Sequence, residues 1–130
     1  MNESFVFYFR RRRQSIKVFL WDVHPNTFAN WKAGRWGYFL ATWKSPRLGT
    51  FGELHFVKSR LRIDTVVHEL QHVIIEWMWA NRTAITGKNE EYLCTFMDEL
   101  VRNFIKNLRM VYKINEEFYS FVGRKNKKQA

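Results

Sequence analysis

Cysteine is almost missing from this 130-residue chain: Cys94 is the only one. A single thiol excludes an intramolecular disulfide framework and a zinc site built from several cysteines, and it points to a reducing compartment. Long apolar runs are missing as well. None approaches the roughly 18 residues that a membrane-spanning helix needs, so no membrane partner is expected. The amino-terminal apolar stretch, Phe5 to Phe9, is short and precedes the arginines instead of following them, the reverse of a secretory signal. The cytoplasm is the expected setting. Acidic residues are scarce, with 12 Asp and Glu against 22 Lys and Arg and a formal charge of +10. Eight of the positive charges sit in Arg10–Arg13 and in Arg124, Lys125, Lys127 and Lys128. The surplus therefore belongs to one run and one tail, which suit weak polyanion contact, and not to a broad basic face.

What the chain does have is apolar and aromatic mass. It is 46% hydrophobic and carries twelve phenylalanines, six tryptophans and five tyrosines, which excludes disorder as its main state. The length suits one domain with a real core. That domain is expected over residues 1–123, with 124–130 as a basic flexible tail.

Residues 5–9 and 16–23 hold the β-branched and aromatic types that fill strands, with the arginine run as the hairpin connection between them. Residues 24–37 read as an irregular or short helical connection punctuated by Gly34 and Gly37. Residues 38–43 make a third strand and Phe51–Ser59 a fourth, whose imperfect alternation reads as an edge or half-buried strand. From Asp64 the period changes. Val66, Val67, Leu70, Val73, Ile74 and Trp77 recur at helical spacing, predicting a helix over 64–80 with Asp64 as its N-cap. Asn89 is a second N-cap candidate, and Leu93, Phe96, Met97, Leu100, Val101, Phe104 and Leu108 mark a long amphipathic helix ending near 112. A last helical segment is expected over 115–122. The fold class is α+β: a small, mostly antiparallel amino-terminal sheet followed by two packing helices.

One pentapeptide carries chemistry. His68-Glu69-Leu70-Gln71-His72 fits HExxH, for which this composition gives roughly 0.008 chance matches. On a helix His68 and His72 lie 40° apart, one turn above the other, so both imidazoles can reach one metal ion. Glu69 lies on the neighbouring strip, within reach of a water on that ion. Leu70 and Val73 centre the apolar stripe on another side, so the helix has one greasy face and one metal-binding face. Imidazole and carboxylate ligands with an open fourth position suit a single catalytic Zn2+ per chain. The only other histidines, His24 and His55, lie upstream. The downstream carboxylates are Glu76, Glu90, Glu91, Asp98, Glu99, Glu116 and Glu117. Glu90 and Glu91 open the second helix, where acidic residues also complement the helix dipole; periodicity places Glu90 nearer the apolar stripe.

HELQH followed by a helix beginning NEEYLC resembles the HExxH zincins of the gluzincin branch, and in size the minimal gluzincin-like proteins of bacteriophage and mobile elements. The resemblance covers roughly residues 50–100 and implies a zinc metallopeptidase, acting in the host cytoplasm if phage-encoded. In that family the ligand glutamate stands three residues before a small residue, and Glu91-Tyr92-Leu93-Cys94 matches. The implied assignment is therefore His68, His72 and Glu91 as metal ligands, Glu90 in reserve, and Glu69 as catalytic base. It also implies that the strand before the helix, Phe51–Ser59, edges the cleft and pairs with an extended peptide or protein substrate. No motif singles out a transition-state-stabilising group among His55, Tyr92, Tyr112 and Tyr119. Two other readings stand beside the peptidase: a metal-binding pseudoenzyme, and a basic nucleic-acid-binding or regulatory module supported by the arginines, the tail and the aromatics Trp31, Trp36, Phe39 and Trp43.

Overall fold

The computed structural model describes residues 2–26, 31–32 and 34–119. The predicted tail, 124–130, and the end of the last predicted helix lie outside the described residues. Four strands, β1 (Glu3–Phe9), β2 (Gln14–Trp21), β3 (Gly37–Ala41) and β4 (Gly49–Val57), precede α1 (Ile63–Ala80) and α2 (Glu90–Val111). The expected α+β class and its order are what the chain adopts. Asp64 does not cap α1: Arg62 holds the N-cap position and Asp64 sits in the first turn, where its carboxylate accepts from Thr65 N. A short 3-10 turn at Glu116–Tyr119 stands where the last helix begins in the sequence pattern.

The strands form one sheet in the order β1-β2-β4-β3. β1 and β2 pair antiparallel as a hairpin, β3 and β4 pair antiparallel, and β2 and β4 pair parallel. This order corrects the expectation for Phe51–Ser59. β4 is hydrogen-bonded on both sides, and the edge strands are β1 and β3. The physical reason is the long connection after β2, which carries the chain to the far edge before it returns between β2 and β3. That connection places Trp31 against Tyr38 and His55, so β4 has both faces covered and loses the clean alternation of a half-solvated strand.

One face of the sheet meets both helices. Phe7 and Phe9 of β1, Ile16, Val18 and Leu20 of β2, and Leu54 and Phe56 of β4 are fully buried there with Val66, Leu70 and Val73 of α1 and Leu100, Phe104 and Leu108 of α2. α2 lies over β1, with the Phe104 ring edge-on to Phe5 and Phe7, while α1 lies over β3. A register shift after Ser15 leaves Phe51 as an extra residue in β4, and its ring stacks on Phe39 and Trp43 in the core. Gly52 follows because a Cβ there would stand 2.5 Å from Phe39 Cε1 and 2.7 Å from the Leu40 carbonyl oxygen. The other face is aromatic: Phe19 stacks on His55, and Trp21 Nε1 donates to His55 Nδ1 at 2.9 Å. Trp31, Phe39 and Trp43 are thus core or near-core side chains, which removes most of the aromatic support for the nucleic-acid reading.

The β1–β2 turn is costly. Arg10, Arg11 and Arg12 all take left-handed φ, 54°, 56° and 67°, a conformation that costs an L-residue roughly 1–2 kcal/mol each. Arg13 N donates to Arg10 O, Gly49 N to Arg13 O, and Arg10 N to Glu99 Oε2, so turn, sheet and α2 hold it together. Among the described residues no helix is long and apolar enough to cross a membrane.

Candidate active site

The stripe Val66, Leu70, Val73 and Trp77 anchors α1 against the sheet, and this fixes where the HExxH side chains point. His68 and His72 fall on the outer side and are exposed, with ring centroids 4.9 Å apart and planes at 77°. Glu69, 100° further round, is turned beneath β3 and is only 7% exposed. Its seat is Gly37: a Cβ on that residue would stand 2.8 Å from Glu69 Cγ. Glu69 Oε2 lies 3.9 Å from His68 Nε2. Burial pushes the Glu69 carboxyl up to about 7, against the opposing pull of the Arg35 guanidinium. His72 is held below the ordinary imidazole value, first by burial and then by the charges of His68 and Arg35. The neutral imidazole so favoured is the form that binds metal.

These side chains line a cleft of about 630 Å³ between α1 and β3, with Gly37–Ala41 on one side and His68, Glu69, His72 and Glu76 on the other. A second hollow, about 310 Å³, shares Arg35, Gly37, His68 and Glu69 and extends to Asp64 at the start of α1. From Asp64 to Glu76 the helix runs about 18 Å, which matches about five residues of extended chain. The outer edge of β3 has no strand partner among the described residues and borders this trough.

His68, Glu69 and His72 come together as the motif implies. Glu91 does not join them. It and Glu90 are exposed on the first turn of α2 and are not among the residues that line the cleft, and among the described residues no three His, Cys, Asp or Glu side chains gather into a metal-ligand set. Glu76 does line the cleft, but it stands about 9 Å along the axis from the midpoint of the histidine pair, and its Oε2 accepts from Trp43 Nε1 at 2.8 Å. The two imidazoles fit two positions of a zinc ion, which leaves its remaining positions for water, substrate or a further ligand.

None of the four groups considered for transition-state stabilisation is in the cleft. His55 is buried on the opposite sheet face between Trp21 and Glu53, Tyr92 accepts from Arg10, Tyr112 donates to the Lys58 carbonyl, and Tyr119 accepts from Arg109. Two cations line the cleft, Lys32 and Arg35; no local pattern marks Arg35, since it sits in an irregular connection beside a glycine. Gly37 carried a signal that pointed elsewhere: as a breaker it reads as the end of a loop, whereas it opens β3 and makes room for Glu69. No protein-family model matches the chain, and comparisons with curated proteins and with solved structures give no match.

Proposed function

We propose that this chain is a zinc-dependent peptidase-like hydrolase whose site is the trough between α1 and β3. The observation that carries the reading is that His68, Glu69 and His72 share one cleft with β3, whose outer edge has no strand partner among the described residues, which puts a pair of imidazoles, a sheltered carboxylate and a strand edge side by side. A zinc ion held by His68 and His72 would lower the pKa of a water and polarise a carbonyl.

The chain's own residues do the rest. An extended peptide adds to β3 through backbone hydrogen bonds, which orients one carbonyl over the histidine pair. Glu69, shielded by Gly37 and the strand above it, accepts the proton of the attacking water and returns it to the leaving amine. Arg35 faces the same point and offsets negative charge as it develops on the carbonyl oxygen. Strand addition is assigned to β3 and not to β4, because β4 has no free edge. The substrate is accordingly an unfolded or extended stretch of protein, since a folded helix cannot pair with a strand edge.

The test is metal loading followed by inhibitor binding. Zinc-reconstituted protein should carry about one ion per chain, and His68→Ala or His72→Ala should lose it and melt at lower temperature. Glu91→Gln should retain it, because Glu91 stands outside the cleft; its loss in that variant would show that the first turn of α2 closes onto the histidines. A hydroxamate should bind the zinc form and protect His68 and His72 from modification. A wild-type chain that takes up no zinc in neutral buffer would refute the proposal.

A further inference from the structure

The arginine run is not used by the trough, and it lies across α1 from it. Trp77, which Arg10 covers at 4.7 Å from guanidinium carbon to ring centroid, falls 140° or more round the helix from the two histidines. Arg10 is the fixed member of the run. Its Nη1 donates to Tyr92 Oη, its backbone N donates to Glu99, and its stacking on Trp77 completes the clamp. Arg12 turns to the other side and lies over Tyr8. Arg11 and Arg13 are left to point outward from the strained turn, and α2 adds Arg102 opposite them. Together they border a hollow of about 420 Å³ floored by Phe96.

The guanidiniums of Arg11, Arg13 and Arg102 are exposed and make no hydrogen bond or ion pair with any described residue. The acid in the hollow, Glu99, already accepts from the Arg10 amide. Several free arginines at one hollow repel each other, and the turn that assembles them is itself strained. Both features follow if the group is held ready for an anion. Charge spread over a turn and a helix suits successive phosphates better than one focal anion. The exposed ring of Tyr92 at its rim offers a face on which an unpaired base can stack.

We propose that the Arg10–Arg13 turn and Arg102 form a binding site for the phosphate backbone of a single-stranded polynucleotide. The site is separate from the proposed hydrolytic trough and does not depend on it. It holds the protein on nucleic acid while the trough, on the far side of α1, stays open.

The probe is a fluorescein-labelled oligothymidylate of about 16 nucleotides, titrated with the full chain and followed by anisotropy over a range of salt. Three phosphate contacts imply a slope of about −2 in log affinity against log salt, or an affinity loss of about 20-fold between 50 and 200 mM. The triple variant Arg11→Gln, Arg13→Gln, Arg102→Gln should lose that part of the slope, while its melting temperature stays near wild type because the three side chains have no partners to lose. The basic tail is common to both proteins, so the difference isolates the hollow. Single variants, each expected to lower the slope by about 0.7, keep the test valid if the triple variant misfolds. Equal affinity and slope in wild type and variants would overturn the proposal. Pyrophosphate binding as tightly as the oligonucleotide would assign the site to a free phosphate ligand and overturn it too. Equally tight binding of a duplex would overturn the single-strand assignment.

Discussion

Replacing Glu69 by Gln should make the metal-free protein more stable, and only above a defined pH. The carboxyl is buried under Gly37, and its pKa rises from an ordinary 4.5 to about 7 because burial penalises the ion. At pH values above both figures, the folded state pays for a charge that the unfolded chain solvates freely. That difference amounts to about 3 kcal/mol at 1.36 kcal/mol per pH unit of pKa change. The sign follows from proton binding. Between pH 4.5 and 7 the folded protein holds more protons than the unfolded chain, so stability contributed by this group falls as pH rises through that window and is constant outside it. Glutamine has the same shape and no charge to bury. In EDTA, thermal melts of wild type and Glu69→Gln should therefore run with a small fixed gap at pH 4 and separate by about 10 °C at pH 8. A gap that stays the same from pH 4 to pH 8 would refute the reasoning, because it would mean that Glu69 is solvated and not sheltered for proton transfer.

Other expectations follow from the same geometry. Gly37→Ala places a Cβ 2.8 Å from Glu69 Cγ, too close to be accommodated without displacing that side chain, so hydrolysis should drop about 10²-fold with zinc content unchanged, as read by peptide cleavage beside metal analysis; full activity would show that Glu69 is not seated there. His55 is buried, its Nδ1 accepts from Trp21, and burial holds its pKa below the ordinary 6.5 despite the neighbouring Glu53. Folding therefore resists its protonation, and stability should be lost as pH falls below about 6.5; His55→Gln should flatten that acid limb in melts from pH 7 to 5, and an unchanged limb would assign it to other groups.

The two helices and their buried stripe were legible because helical periodicity is a local signal, and α1 begins within one residue of the position that Val66, Leu70 and Val73 imply. The pairing of His68 with His72, and the offset of Glu69, needed nothing beyond 100° per residue. What local pattern does not contain is strand order. β4 has the composition of a strand, but only the long-range path of the chain decides that β3 ends up outside it. The same limit explains Glu91. Spacing within α2 places it three residues before Cys94, yet whether that turn reaches the cleft depends on how α2 packs, and Glu91 is not among the residues that line the cleft. Arg35 and Gly37 belong to a stretch without periodicity, so their place at the site comes from tertiary contact alone. The arginine run was visible as charge; the left-handed turn, the clamp on Arg10 and the contribution of Arg102 were not.

The most direct measurement is cleavage of an unfolded protein substrate by zinc-loaded wild type and Glu69→Gln, with metal content determined on the same samples. Both proteins should hold about one zinc ion through His68 and His72. The amide keeps the size of the side chain but cannot take up the water's proton, so cleavage should fall by about 10²–10⁴-fold in the variant. A variant that keeps its zinc and cleaves at the wild-type rate would contradict the assignment of the trough as the hydrolytic site.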